Sequence, residues 1–302
     1  MAQKRFATGL LLAILGSIAF SGKAIIVKLA YRYGVDAVTL IMYRMLFALP
    51  IFAVMAWWAS RGKAALTRND WLGILGLGFT GYYLASFLDF AGLAYISAAL
   101  ERLILYLNPT LVLLLGWFLY KKRMSSRQVW AMALSYAGIL LVFGHEINLQ
   151  AVNNSVTAWG ALLVFGSAVS YAIYLSYSGE MVKKLGSMRL VGLATTVACL
   201  LCIAQFLILR PVSYMVVAPQ VIWLSILNAT LCTAVPVLAV MMAIERIGAP
   251  LTAQTGMVGP MSTILMGVFI LGEPLNEWII AGTVLVLGGV YLVSRNRPIS
   301  VE

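Results

Sequence analysis

The run from Tyr95 to Tyr120, YISAALERLILYLNPTLVLLLGWFLY, is written twice in this chain, and the repetition limits the folds open to it. Setting Asn108-Pro109 over Gly259-Pro260, 151 residues further on, puts Ile96 on Ile247, Ala98 on Ala249, Leu100 on Leu251, Gly116 on Gly267 and Phe118 on Phe269. Both copies are long enough to cross a bilayer, since about 20 residues rising ~1.5 Å each span a ~30 Å core. Each carries small or polar residues in its first half and a proline near its middle. A proline there frees a backbone carbonyl and bends the helix, which lipid tolerates only where protein or a water-filled path satisfies the exposed group. The segment should therefore line something.

Hydropathy extends the pattern to ten apolar runs, at 8–30, 37–59, 71–93, 96–120, 128–145, 157–178, 188–209, 219–244, 249–271 and 276–294. With 62% hydrophobic and 10% charged residues, the chain reads as an all-α polytopic membrane protein, since soluble domains carry about 25% charged residues. Trp57, Trp58, Trp71, Trp130, Trp159 and Trp278 lie near the ends of runs, as an interfacial belt requires. Lys4-Arg5 ahead of the first run resembles a signal peptide, but the run is too long and no small-residue cleavage site follows, so an uncleaved first span is expected.

The net charge of +11 points to orientation rather than nucleic acid, because most cations sit in short joins between apolar runs. With the N-terminus cytoplasmic, that side holds Lys4, Arg5, Arg61, Lys63, Arg68, Lys121, Lys122, Arg123, Arg127, Lys183, Lys184, Arg189, Arg246, Arg295 and Arg297. The other side holds Arg32 and Arg210. Ten spans return the C-terminus to the cytoplasm.

The repeat covers five spans per half, 1–146 and 147–302, and an odd number per repeat inverts one half relative to the other. The opening spans align as Gly16-Ser17 over Gly166-Ser167, at a register of 150. Loop charges follow the inversion. Basic Lys121-Lys122-Arg123 corresponds to Gly272-Glu273-Pro274, and the join near Arg32 corresponds to Lys183-Lys184-Arg189.

On these residues the chain resembles the EamA-type family of the drug/metabolite transporter superfamily, and within it the exporters of amino acids, aromatic ones included. The resemblance rests on the paired five-span halves, Tyr95-Ile96-Ser97-Ala98-Ala99, Asn108-Pro109, and Gly272-Glu273-Pro274 followed by Trp278 and Gly282. It implies a ten-helix bundle with a central path lined by spans one, three, four, six, eight and nine, working by alternating access. The chain departs from the family where Lys121-Lys122 replaces the Gly-Glu join after span four.

Five charges fall inside spans: Lys23, Arg44, Asp89, Glu101 and Arg102. A charge at bilayer depth costs several kcal/mol unless paired or hydrated, and all five fall in the half nearer the outside. They should meet, with a surplus of positive charge to attract a substrate carboxylate. An ion-pair lock between helices is the competing structural explanation. The second copy has Val240, Thr252 and Ala253 under Asp89, Glu101 and Arg102, and offers Thr252, Gln254 and Thr255 as a neutral polar wall. One charged and one neutral wall suit a zwitterion better than a polyphosphate. Two routes are open for energy coupling: Asp89 or Glu101 carries a proton, or the protein equilibrates substrate down its gradient.

Aromatic residues at helical spacing complete the candidates: Phe20, Tyr82, Tyr83, Phe87, Phe90, Tyr106, Tyr171 and Tyr174, with Trp117 and Met257 near them. Such stripes serve packing as readily as ligand walls. Gly76, Gly78 and Gly81 spell the dinucleotide fingerprint, but they lie within one apolar run and read as close-packing residues. Cys199, Cys202 and Cys232 lie in apolar runs and read as packing, and His145 is the only histidine. No catalytic set, metal site or cofactor is expected. The expected function is export of amino acids or similar small zwitterions across the cell inner membrane, with lipid around the chain. Multidrug efflux is the alternative, and a membrane enzyme is disfavoured.

Overall fold

A computed structural model describes residues 2–120, 126–149, 154–247 and 258–294, and every regular element among them is helical. In chain order these are α1 (Ala2–Tyr31), α2 (Ala37–Ser60), α3 (Arg68–Leu77), α4 (Ala85–Leu93), α5 (Ala98–Leu105), α6 (Asn108–Tyr120) and α7 (Ser126–Leu149). The second half continues with α8 (Asn154–Leu185), α9 (Ser187–Leu209), α10 (Pro219–Ala229), α11 (Val235–Ile247), α12 (Val258–Met266) and α13 (Glu277–Ser294). Seven described helical stretches are long and apolar enough to cross a membrane, and shorter apolar helices lie at Val129–His145, Met261–Leu271 and Glu277–Gly289.

Three stretches are interrupted, each for a local reason. A π turn at Gly78–Leu84 joins α3 to α4, and one at Thr230–Ala234 joins α10 to α11. The 151-residue shift carries 78–84 onto 229–235, so the two copies loosen their helical ladder at the same place. π turns of this kind gather at functional sites. The Tyr95–Tyr120 run does more than bend: α5 stops at Leu105, Tyr106 and Leu107 turn, and α6 starts afresh at Asn108. Proline is tolerated in the first turn of a helix, so Pro109 opens a second helix as its second residue, where a kink was expected. Thr110 Oγ1 donates to the Leu107 carbonyl at 2.8 Å and closes the break.

Lipid supplies no hydrophobic drive between helices, so small residues set the contacts. α7 packs along α13 through Gly138 and Gly282. A Cβ on Gly138 would stand 2.7 Å from the Gly282 carbonyl, and one on Gly289 would stand 2.5 Å from the Ala131 carbonyl. Higher numbers on α7 thus face lower numbers on α13, and the two helices run antiparallel. α2 and α9 do the same. Arg210, at the end of α9, pairs with Asp36 at the start of α2 at 3.1 Å, while Arg189 at the start of α9 reaches Ser60 at the end of α2 at 3.1 Å.

The helix contacts map onto themselves when the halves are exchanged. α1 lies against α11 as α8 lies against α4, and α1 against α12 as α8 against α6. The facing residues fix the register. Gly9 approaches Arg246 and Ile247 while Gly160 approaches Tyr95 and Ile96; Gly16 faces the Pro236 carbonyl while Ser167 Oγ donates to the Ala85 carbonyl at 2.7 Å. All five residue correspondences, Gly9 with Gly160, Tyr95 with Arg246, Ile96 with Ile247, Gly16 with Ser167 and Ala85 with Pro236, are 151 residues apart. The opening helices therefore follow the same register as the rest of the repeat, and Gly16 matches Ser167 rather than Gly166. The single-residue error has a physical cause: glycine and serine both permit close approach, so letter matching between small residues cannot set a register that the opposing groove does set.

Two of the three fingerprint glycines act in packing. A Cβ at Gly78 would lie 2.6 Å from the Ala194 carbonyl and one at Gly81 would lie 2.4 Å from the Tyr174 ring, while Gly76 has open space. Gly282→Ala would put a methyl 2.3 Å from Val142 Cγ2 and 2.7 Å from the Gly138 carbonyl. It is expected to cost about 1–3 kcal/mol. Gly76→Ala should be neutral or slightly stabilising, and thermal unfolding of the two variants in detergent reads the difference.

Candidate functional site

Lys23 is the hub of the buried polar structure. It leaves α1 one residue beyond Gly22, where the absence of a side chain lets α1 approach Cys232 of the π turn. Its ammonium forms an ion pair with Asp89 of α4 and lies 3.4 Å from Glu101 Oε1 of α5. Arg102 follows with Nε 3.9 Å from Glu101 Oε2. The same Nε donates to Thr263 Oγ1 of α12 at 3.0 Å, and Arg102 Nη2 donates to the Phe20 and Ser21 carbonyls at 3.4 Å each. Ser21 Oγ donates to the Gly259 carbonyl at 2.8 Å. Two cations and two carboxylates thus tie α1, α4, α5 and α12 together.

The cluster is shut away. Relative exposure is 6% for Lys23, 2% for Asp89, 0% for Glu101 and 5% for Arg102. Its charges balance but its hydrogen bonds do not, because Asp89 Oδ1 and both Glu101 oxygens lack an aligned donor. Phe20 stands at the boundary. Its ring centroid is 5.8 Å from Lys23 Nζ and 5.8 Å from Arg102 Cζ, within cation–π range, while the residue is 40% exposed. Tyr106, at the end of α5, brings its hydroxyl 2.9 Å from where a Cβ on Gly259 would be, and so closes the same corner.

Arg44 is the exception among the five expected partners. It takes part in no ion pair among the described residues; its guanidinium lies 5.1 Å over the Phe90 ring, and Nε donates to Thr233 Oγ1 at 3.2 Å. The expected surplus of positive charge therefore lies behind Phe90, outside the balanced group of four.

Tyr174 turns out to be the image of Lys23, and the neighbours of the two residues correspond as well. In the 151-residue register Lys23 becomes Tyr174, Phe20 becomes Tyr171, Arg44 becomes Thr195 and Thr233 becomes Tyr82. These four residues also gather. The Tyr82 and Tyr174 hydroxyls are 3.2 Å apart, their rings are 5.2 Å apart, and Tyr171 stacks on Tyr174 at 5.4 Å, with Thr195 beside Tyr82. Tyr83 is not among them; it turns the other way, 5.3 Å from Phe79, and packs against the α2 core. Gln254 and Met257, with Thr252 and Thr255, lie outside the described residues. His145 stacks on Trp278 at 5.7 Å, remote from both clusters.

Ser21, Thr195, Thr233 and Thr263 belong to this site and were not singled out from the sequence. Serine and threonine are common in packed membrane helices, so composition did not mark them. The register did: Thr233 lies under Tyr82, and Thr195 under Arg44.

The EamA-like transporter family matches residues 7–144 and again residues 158–295. The chain belongs to the EamA-like transporter family. It is a multi-pass membrane protein with two copies of the family domain. It is 28% identical over 292 residues to the uncharacterized transporter YcbK of Bacillus subtilis, covering 95% of this chain and 91% of that one. An uncharacterized transporter of Archaeoglobus fulgidus is 23% identical over 290 residues, covering 96% and 98%. A WAT1-related protein of Arabidopsis thaliana is 25% identical over 310 residues, covering 91% and 86%. A solved crystal structure superposes with a TM-score of 0.61 at 17% identity, over 95% of this chain and 97% of that one, and shares the fold.

Removing one partner of a buried pair leaves an uncompensated charge. Lys23→Met is expected to cost the transporter about 3–5 kcal/mol, since it strands Asp89 and Glu101 together. Adding Asp89→Asn should return part of that loss. Thermal unfolding of the wild type, both single variants and the double variant tests the coupling, and additive losses would count against the ion pair.

Proposed function

We propose that this transporter carries amino acids or similar small zwitterions out of the cell, by alternating access between two inverted five-helix halves, 1–146 and 147–302. In this reading the ten helices place both termini in the cytoplasm and the chain in the cell inner membrane. The antiparallel packing of equivalent helices, α2 on α9 and α7 on α13, supports the inversion. The cation count in the joins supports the orientation.

The observation that carries the substrate class is the balanced cluster of Lys23, Asp89, Glu101 and Arg102. A zwitterion offers one carboxylate and one ammonium. Its carboxylate can replace a side-chain carboxylate on Arg102 or Lys23, and its ammonium can replace Lys23 on Asp89 or Glu101, with no net charge carried into the low-dielectric interior. A polyphosphate would leave several charges uncompensated. The unbonded oxygens of Asp89 and Glu101 supply acceptors for such an ammonium, or for a proton in a coupled cycle. Phe20, half outside the cluster, offers a surface for the substrate side chain. The cluster of Tyr82, Tyr171 and Tyr174 offers a second uncharged surface, in addition to the neutral wall expected from Thr252, Gln254 and Thr255.

Multidrug efflux is the second reading, favoured by the near-complete burial of the charges, which suits a lock between helices. Counterflow into proteoliposomes with labelled amino acids separates the two. Amino acids should exchange, cationic dyes should not compete, and Asp89→Asn, Glu101→Gln and Arg102→Gln should each slow exchange about tenfold or more, the loss of one charge-assisted hydrogen bond. Near-normal exchange in all three variants, or competition by dyes, favours the lock. A rate that follows an imposed pH gradient indicates proton coupling.

A further inference from the structure

A vestibule of about 390 Å³ opens at the end of the bundle nearest the charged cluster, between Tyr31, Arg32, Leu93 and Glu273. Three hydrogen bonds tie its lining residues to one another or to their neighbours. The Tyr31 hydroxyl donates to the Phe90 carbonyl, Arg32 Nη2 donates to the Leu271 carbonyl at 2.8 Å, and the Ala98 N–H donates to Glu273 Oε1 at 2.9 Å.

The third tie differs from the others in what it holds. α5 is eight residues long, bounded by Ser97 and by the break at Tyr106, and it carries Glu101 and Arg102. A helix of this length does not sustain itself; it depends on what its ends are fastened to. Its first N–H groups have no partners within the helix. Ser97 Oγ takes the Leu100 N–H at 3.0 Å, and Glu273, from the other half of the chain, takes that of Ala98. A carboxylate also suits the positive end of a helix. Glu273 is itself held in place. Gly272 adopts a left-handed turn at φ 73°, and the Glu273 N–H donates to the Gly267 carbonyl at 3.0 Å, closing the π turn at Gly267–Leu271.

We propose that Glu273 is the latch of the outer gate, a positioning residue that holds α5 so that Glu101 and Arg102 stay on Lys23 and Thr263. When the latch releases, α5 moves off α1 and the vestibule joins the buried cluster. This rests on the alternating-access reading above, and on no particular substrate.

The chain carries its own reporter. Cys232 Sγ lies 3.1 Å from where a Cβ on Gly22 would stand, next to Lys23, and the residue is 4% exposed. Cys199 is a control, buried between α2 and α9 with its sulfur 3.7 Å from Met45 Sδ. The full chain, in single-cysteine forms keeping Cys232 or Cys199, is reconstituted in liposomes and treated with a membrane-impermeant maleimide from the face bearing Glu273. Glu273→Ala is expected to speed labelling of Cys232 about tenfold, as loss of a charge-assisted hydrogen bond would. Glu273→Gln keeps an oxygen that accepts the Ala98 N–H and should stay within about threefold of the parent. Cys199 should not change. Unaltered Cys232 labelling in Glu273→Ala, or an equal rise at Cys199, overturns the latch. Because labelling needs no substrate, a failure of amino-acid counterflow alone leaves the latch standing, and a failure of labelling alone leaves the substrate reading standing.

Discussion

A lysine inside a bilayer cannot be left alone, and Lys23 organises this molecule because of it. Its ammonium must meet carboxylates, and the two that it meets are on α4 and α5. Arg102 then needs acceptors, which it finds on the backbone of α1 and on Thr263 of α12. Satisfying one intramembrane charge thus brings four helices together in one arrangement. An apolar contact of similar area would tolerate sliding, since lipid competes equally for it; charged groups with few partners do not.

The second organising fact is that one backbone plan is used twice with different chemistry. The π turns at Gly78–Leu84 and Thr230–Ala234 fall in register, as do the close approaches of Gly9 and Gly160. At the centre of each cluster the matching side chain is the ammonium of Lys23 in one half and the phenol of Tyr174 in the other. Opening an ionic cluster means separating charges, whereas opening the tyrosine cluster means breaking a hydroxyl contact and two ring contacts. The two clusters therefore resist separation by different physics. The same inequality recurs at the joins: Glu273 caps α5, while its equivalent position holds Lys122, an ammonium that cannot accept an amide proton.

Much of the fold was legible because it rests on local patterns. Apolar runs of bilayer length, the cation bias of the joins, and the repeat of Asn108-Pro109 in Gly259-Pro260 are properties of short stretches. The candidate site was legible in kind and less so in arrangement. Lys23, Asp89, Glu101 and Arg102 stood out because charges in apolar runs are costly, and they do meet. Arg44 met the same criterion but went to Thr233 and Phe90, since which neighbour a long side chain reaches depends on helix rotation. Tyr83 and Tyr82 are adjacent in the chain and face different neighbours for the same reason.

What the sequence alone determined is the class of the protein: helices that cross lipid, written as two copies, with a handful of charges that have to find one another. Tertiary structure decided the rest. It set the register of the opening helices, which letter matching between glycine and serine placed one residue off. It turned the proline into a break, with a new helix starting at Asn108 and the Leu107 carbonyl taken up by Thr110 and Leu111. It also showed that Tyr174 stands in the second half where Lys23 stands in the first, and that Glu273 reaches across to α5. Those facts depend on which faces of distant helices are pressed together, and no stretch of chain carries that information by itself.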